Sequence, residues 1–247
     1  MHPVLDSLFF PRKIYQPLSE KDLIVPTDGE NVSIRTYMHD KSFPTILLFH
    51  GNGEIVSDYD PISRYYEDID LNLIVSDYRG YGHSSGRPSA SSMLEDAHSV
   101  LDYIKTFLKS RSYSDQLYIL GRSLGSACAI ELADICSKKI NGVIIESGFC
   151  TETPILKLLG IDVDRISFAD ENGFGSLAKI GRYNGPLLII HAKNDEIVPY
   201  EQAKLMLEKS PSKRKKLLTI SGAGHNNIYQ FGLEDYFKAI ENFIGAT

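Results

Sequence analysis

The sequence predicts an α/β fold built on a mostly parallel sheet, and three observations carry that prediction. Short, nearly unbroken apolar runs recur along the chain: Thr45 to Phe49, Leu73 to Ser76, Leu117 to Leu120, Gly142 to Ile145, Leu187 to His191 and Leu217 to Ile220. Runs of this length without polar alternation suit strands covered on both faces, as in parallel sheets. Segments of helical periodicity fill the gaps between the runs, so strand and helix alternate, as right-handed crossovers require. Finally, no Pro/Gly/Ser-rich linker, charge run or internal repeat divides the 247 residues, which predicts a single domain over 1–247.

The elements follow in order. Leu23-Ile24-Val25 and Val32 to Tyr37 flank Asp28-Gly29, a turn pair, and read as an N-terminal hairpin. Met93, Ala97, Val100, Leu101, Ile104, Phe107 and Leu108 recur at three- and four-residue spacing and define an amphipathic helix. Ser92-Met93-Leu94-Glu95 reads as its capping box. After Ser123 the small residues Gly125, Ser126, Ala127, Ala129 and Ala133 predict a helix seated tightly on the sheet. Leu233, Tyr236, Phe237, Ile240, Phe243 and Ile244 form a C-terminal helical stripe. The segment from about 149 to 185 is the candidate for a small cap. It has an apolar helix candidate at Ile155 to Leu159 and a mobile-loop reading for Phe168 to Phe174.

Composition narrows the function classes. With 43% hydrophobic and 23% charged residues the chain is of ordinary globular type. A net charge of -6 gives no reason to expect nucleic acid. The basic run Lys213 to Lys216 reads as a solvated turn before a strand. Three cysteines without a CxxC pair predict reduced thiols and a cytoplasmic protein. The apolar patch Leu8-Phe9-Phe10 ends at Pro11 and is too short for a signal peptide or a membrane span. No metal or stable membrane insertion is expected, the partner expected is a small-molecule or acylated substrate, and the oligomeric state is left open.

The chemistry centres on Gly121-Arg122-Ser123-Leu124-Gly125, a G-x-S-x-G pattern between a predicted strand and a predicted helix. That context is the one a nucleophile elbow requires. The tight turn strains the serine backbone and projects its hydroxyl beyond the carboxyl edge of the sheet, where open α/β folds bind ligands. A serine hydroxyl needs a base, and the base needs an orienting carboxylate. Of seven histidines, His225 stands in a glycine-rich loop after the Leu217 to Ile220 run. His2, His39 and His98 read as surface residues; His50, His83 and His191 read as structural. Asp195, in the loop leaving the Leu187 to His191 strand, fits the acid, with its neighbour Glu196 and the strand-end Glu146 as alternatives. For the oxyanion donors, the backbone N–H groups of Leu124 and Asn52 are the candidates, with Gly53 as second choice to Asn52.

Five blocks now stand in order: His50-Gly51-Asn52-Gly53, Asp77 to Ser89, the Ser123 elbow, Asn194 to Pro199, and Gly222 to Asn226. Together they resemble the α/β-hydrolase-domain serine hydrolases, in particular the branch holding eukaryotic protein depalmitoylases and their bacterial relatives. The resemblance runs from about Leu23 to the C-terminus. It implies an eight-stranded, mostly parallel sheet with helices on both faces and a small cap, no cofactor, and Ser123, Asp195 and His225 as the triad. It implies a structural role for Asp77 and Arg79, as a buried charge-paired turn beneath the site. Two departures stand out. The cysteine-rich N-terminus of the membrane-bound depalmitoylases is absent, so membrane attachment does not carry over. Arg122 stands where close relatives often have an uncharged residue, which leaves substrate preference open.

The expected activity is therefore a serine esterase or thioesterase acting through an acyl-serine. An aminopeptidase-like amide hydrolase is the rival within enzymes, and Asp162, Asp164, Asp170 and Glu171 of the cap could bind its substrate ammonium. Dehalogenase and epoxide hydrolase readings call for aspartate at the elbow and a dienelactone-type hydrolase for cysteine. A noncatalytic binding protein of the same fold is the alternative from a different class.

Overall fold

The apolar runs become the strands of one eight-stranded sheet in the order β1-β2-β4-β3-β5-β6-β7-β8. The computed structural model describes residues 1–246, so Thr247 of the predicted 1–247 domain lies outside the described residues. β1 (Asp22–Pro26) and β2 (Asn31–Tyr37) are the antiparallel hairpin, and β2 also runs antiparallel to β4 (Asn72–Ser76). β3 (Thr45–Phe49), β4, β5 (Leu117–Arg122), β6 (Gly142–Glu146), β7 (Leu187–Ala192) and β8 (Lys215–Ile220) are parallel.

The helices are α1 (Ser63–Glu67), α2 (Ala90–Ser110), α3 (Ser126–Ile135), α4 (Thr153–Leu158), α5 (Ser176–Ile180), α6 (Glu201–Lys209) and α7 (Ile228–Gly245). They cover both faces of the sheet. Leu47, Phe49, Ile119, Leu187 and Ile189 pack in one core with α2, α3 and α6, while Ile46, Leu48, Leu120, Leu188 and Ile190 pack in a second with α1 and α7. Burial of both strand faces is the physical reason the central runs show no polar alternation.

The chain leaves β3 for β4 on one side and crosses to β5 on the other. The carboxyl ends of β3 and β5 therefore flank a topological switch point, where this class of sheet opens a crevice. Both the His50 to Gly53 loop and Ser123 leave from it.

Several local expectations are corrected. The α2 N-cap is Ser89, not Ser92: Ser89 Oγ accepts from Ser92 N at 3.1 Å, and Ser89 N donates to Ser92 Oγ at 3.1 Å. Ser89 directly follows Pro88, and three serines in four positions made the box assignable one turn late. β8 begins at Lys215, so half of the basic run is strand rather than turn. Lys215 and Lys216 are exposed on this edge strand, where charge opposes pairing with another sheet. Asp77 and Arg79 do not pair with each other. Arg79 Nε meets Asp96 of α2 at 2.7 Å, whereas Asp77 Oδ1 takes His50 Nε2 and Val56 N, each at 3.1 Å.

The stretch from Phe168 to Phe174 is anchored at its ends and at Asp170, while Ala169, Glu171 and Asn172 are exposed. Both phenylalanines are buried. Asp170 Oδ1 accepts from Glu152 N and Thr153 N at 2.8 and 2.9 Å, which ties the stretch to the start of α4. Within the 149–185 segment, α5 packs against α3 and α6, while residues of α4 reach the cavity beside Ser123. No helix among the described residues is long and apolar enough to cross a membrane.

Candidate active site

β5 ends at Arg122, and the next residue, Ser123, turns with φ +49°. A non-glycine residue in the left-handed region is strained, and here the strain aims a hydroxyl. The flanking glycines are needed for close approach. A Cβ on Gly125 would collide with the Phe49 carbonyl oxygen, and one on Gly121 with the Gly125 carbonyl and Ala129. The glycines at the ends of the motif thus let the helix after Ser123 sit directly on β3 and β5.

Ser123, Asp195 and His225 come together across β5, β7 and β8. His225 Nε2 lies 2.9 Å from Ser123 Oγ, and His225 Nδ1 lies 2.8 and 3.0 Å from the two Asp195 oxygens. A carboxylate only accepts, so the imidazole proton sits on Nδ1 and Nε2 faces the hydroxyl as an acceptor. Ser123 and His225 are 8% and 4% exposed, and the Asp195 side chain is fully buried. Burial alone would raise the Asp195 pKa. Hydrogen bonds from His225 and Val198 N, with the nearby imidazoles, outweigh it and hold the carboxyl below its ordinary range.

The alternatives to Asp195 have other partners. Glu196 Oε2 accepts from His225 N at 3.1 Å, so it holds the backbone of the histidine rather than its ring. Glu146 is buried beneath the site, accepting from Tyr236 OH at 2.7 Å and meeting Arg122 Nε at 3.2 Å. His50 bonds to Gly51 O and Asp77, and His191 Nε2 lies 2.9 Å from Val198 O. His83 bonds to Gln16 O.

Asn52 and Leu124 line the same cavity as Ser123 and His225. The Asn52 carboxamide is already engaged. Its Oδ1 accepts from Phe10 N at 2.9 Å and Tyr81 OH at 2.7 Å, and its Nδ2 donates to Leu8 O. Only its backbone N–H is left for an oxyanion. This side chain docks the N-terminal segment, and Leu8 and Phe10 form one wall of the cavity. The Leu8-Phe9-Phe10 patch was visible as apolar sequence, but nothing local indicated that it packs beside a serine more than a hundred residues away.

The cavity holds about 310 Å³ and is otherwise lined by Phe149, Ile155, Leu158, Leu159, Ile197 and Val198, with Arg122 and Asn226 at its polar side. A larger, more open groove of about 620 Å³ lies across Arg122 and Asn226 and does not include Ser123. None of Asp162, Asp164, Asp170 and Glu171 is among the residues lining either space. Among the described residues, no group of three or more His, Cys, Asp or Glu side chains could hold a metal ion.

Arg122 reaches further than its sequence position indicated. Its guanidinium pairs with Glu54 and Glu146, and Nη2 also donates to His225 O at 3.3 Å and Asn226 Oδ1 at 3.2 Å.

Comparison with known proteins places the chain in a family. The chain is 28% identical over 213 residues to protein bem46 of Schizosaccharomyces pombe, covering 84% of this chain and 69% of that protein. It is 25% identical over 215 residues to the uncharacterized protein YfhR of Escherichia coli K12, covering 82% and 73%. Human alpha/beta hydrolase domain-containing protein 17C shares 28% identity over 210 residues, covering 81% of this chain and 57% of that one. Among solved structures, the Pyrococcus furiosus esterase Pf2001 shares the fold with a TM-score of 0.78 at 17% identity, covering 97% and 98%. Est1E from Butyrivibrio proteoclasticus, bound to ferulic acid, superposes with a TM-score of 0.73 at 20% identity, covering 91% and 98%. Residues 40–165, about half of the chain and including the Asn52 loop and the Ser123 elbow, match the family described as serine aminopeptidase, S33. The chain belongs to this family of α/β hydrolases.

Proposed function

We propose that the chain is a serine hydrolase that cleaves a carboxylic ester or thioester through an acyl-Ser123 intermediate. The observation that carries this reading is the continuous contact from Asp195 through His225 to Ser123, opening on an apolar cavity. In the first half-reaction, Ser123 Oγ attacks the substrate carbonyl carbon while His225 Nε2 takes the hydroxyl proton. The negative charge that develops on the carbonyl oxygen is received by the backbone N–H groups of Leu124 and Asn52. Collapse of the tetrahedral adduct breaks the bond to the alcohol or thiol, and the imidazolium returns its proton to that leaving group. Water then repeats the sequence on the acyl-enzyme, with His225 as base again. Asp195 remains ionised and holds the imidazolium that forms in each half-reaction.

The cavity supports an acyl chain rather than an ammonium group. Its volume lies at the lower end of the roughly 300–1,000 Å³ typical of small-ligand sites. Leu158, Leu159 and Phe10 stay partly exposed along it, so a short acyl chain would be enclosed and a longer one would extend past them. An aminopeptidase needs an unpaired acid near the scissile bond. The acids that line the larger groove, Glu54 and Asp58, are bonded to Arg122 and Arg12. The contact between all three triad side chains favours an enzyme over a noncatalytic binding module.

The test is the Ser123→Ala variant, assayed on p-nitrophenyl acetate and with a fluorophosphonate probe. Hydrolysis and labelling should both vanish while the protein stays folded. Labelling that persists in this variant would sink the assignment. An acyl-chain series on oxygen esters and thioesters, run side by side, then defines the substrate. Turnover confined to aminoacyl amides would overturn the ester and thioester reading in favour of the aminopeptidase one.

A further inference from the structure

The Arg122 side chain is 11% exposed, and its guanidinium reaches two loops and the end of a strand. Nη1 pairs with Glu54 Oε1, and the other oxygen of Glu54 accepts from Gly51 N at 2.8 Å and Tyr59 OH at 2.8 Å. That carboxylate therefore anchors the loop that carries Asn52. Nε meets Glu146 at the end of β6 at 3.2 Å. Nη2 turns to the base loop and donates to the backbone carbonyl of His225 itself and to the Asn226 side chain. Packing is close as well, since a Cβ on Gly51 would collide with Arg122 Nη1.

We propose that Arg122 is a positioning residue, which holds the His225 loop and the Asn52 loop in register with the nucleophile next to it in sequence. The proposal rests on the acyl-serine reading given above. A counter-charge for Glu54 and Glu146 would need only the two ion pairs. The donations to His225 O and Asn226 Oδ1 go to neutral acceptors, and charge balance does not call for them. Only a planar fork with several fixed donors can address carboxylates on two elements and a carbonyl on a third; a lysine ammonium cannot span them. Freed from Arg122, the histidine loop keeps its chain connections but loses the bond at the catalytic residue. A shift of about 1 Å in a catalytic group can cost on the order of a hundredfold in rate.

The experiment compares Arg122→Lys, Arg122→Met and the charge-free triple variant Arg122→Met/Glu54→Gln/Glu146→Gln, each read by thermal midpoint and by kcat and KM on p-nitrophenyl acetate. Arg122→Lys should fold and lose roughly 10- to 100-fold in kcat, with KM changed by about twofold or less. Arg122→Met leaves the buried Glu146 and the part-buried Glu54 without their cation and should melt at a much lower temperature. The triple variant removes that penalty, so it should recover the melting temperature without recovering kcat. A triple variant that regains kcat along with stability would reduce Arg122 to a counter-charge and overturn the proposal, as would a loss in Arg122→Lys carried by KM. Ser123→Ala is run in parallel. If it still hydrolyses the ester, the acyl-serine reading fails; if it is dead while Arg122→Lys turns over at the wild-type rate, only the Arg122 proposal fails.

Discussion

Asp195→Asn changes a few atoms and should nearly abolish turnover, because the surroundings dictate how the new amide must face. Asp195 Oδ1 accepts from Ile197 N at 3.0 Å and Val198 N at 2.7 Å. Asparagine has a single acceptor oxygen, and these two backbone donors claim it. Its NH₂ group must then occupy the position of Oδ2, which now lies 2.8 Å from His225 Nδ1. A donor there forces Nδ1 to accept, so the ring proton moves to Nε2 and points at Ser123. The base is then in the wrong tautomer. The corresponding substitution in a serine protease triad lowers kcat by about 10⁴, and the same loss here corresponds to about 5.4 kcal/mol of transition-state stabilisation. The check is kcat on p-nitrophenyl acetate with the circular dichroism spectrum as control for folding. A folded Asp195→Asn protein that keeps a tenth or more of the wild-type kcat would refute the tautomer argument. Asp195→Ala leaves the ring free to choose its tautomer, so it should be no worse than the asparagine variant.

Two further outcomes follow from strain and burial. Ser123→Gly should be more stable than Ser123→Ala by about 1 kcal/mol in urea melts, because glycine relieves the positive φ that alanine retains; equal stabilities would mean that the turn holds no strain. Glu152, fully buried in the cap, accepts from Phe174 N through Oε1 at 3.1 Å, while its Oε2 has no partner among the described residues, and burial pushes its pKa up to about 7. The folded state therefore keeps this proton between the ordinary carboxyl pKa and pH 7, where the unfolded chain has released it. Stability should fall as pH rises through that window, by up to roughly 3 kcal/mol. Glu152→Gln should remove that slope in melting curves taken from pH 4.5 to 8, and an unchanged slope would show that Glu152 does not titrate there.

Much of the site was legible because it follows from strictly local chemistry. A glycine-flanked serine between a buried strand and a small-residue helix can be recognised from its neighbours alone, since the turn geometry demands those residue types. The placement of His225 and Asp195 in loops leaving strand ends was legible for a related reason. Side chains that must converge at one edge of a parallel sheet have to follow strands. Misassigned details were those in which several residues could satisfy one local rule. Ser89 and Ser92 both fit a cap, and Asp96 rather than Asp77 proved to be the partner of Arg79 because α2 crosses the turn there.

The sequence by itself determined the strand runs, the alternation with helices and the candidate residues Ser123, Asp195 and His225. Periodicity and turn chemistry are short-range properties that each segment states for itself. Only the tertiary structure decided the contacts between distant segments. It seats Leu8 and Phe10 beside Ser123 through the Asn52 carboxamide, spends the cap acid Asp170 on the backbone of α4, and joins Arg122 to Glu54, Glu146 and the histidine loop. Each of these depends on where the sheet brings residues remote in sequence. The partner of a buried charge or carboxamide is chosen by proximity in space, which no local pattern encodes.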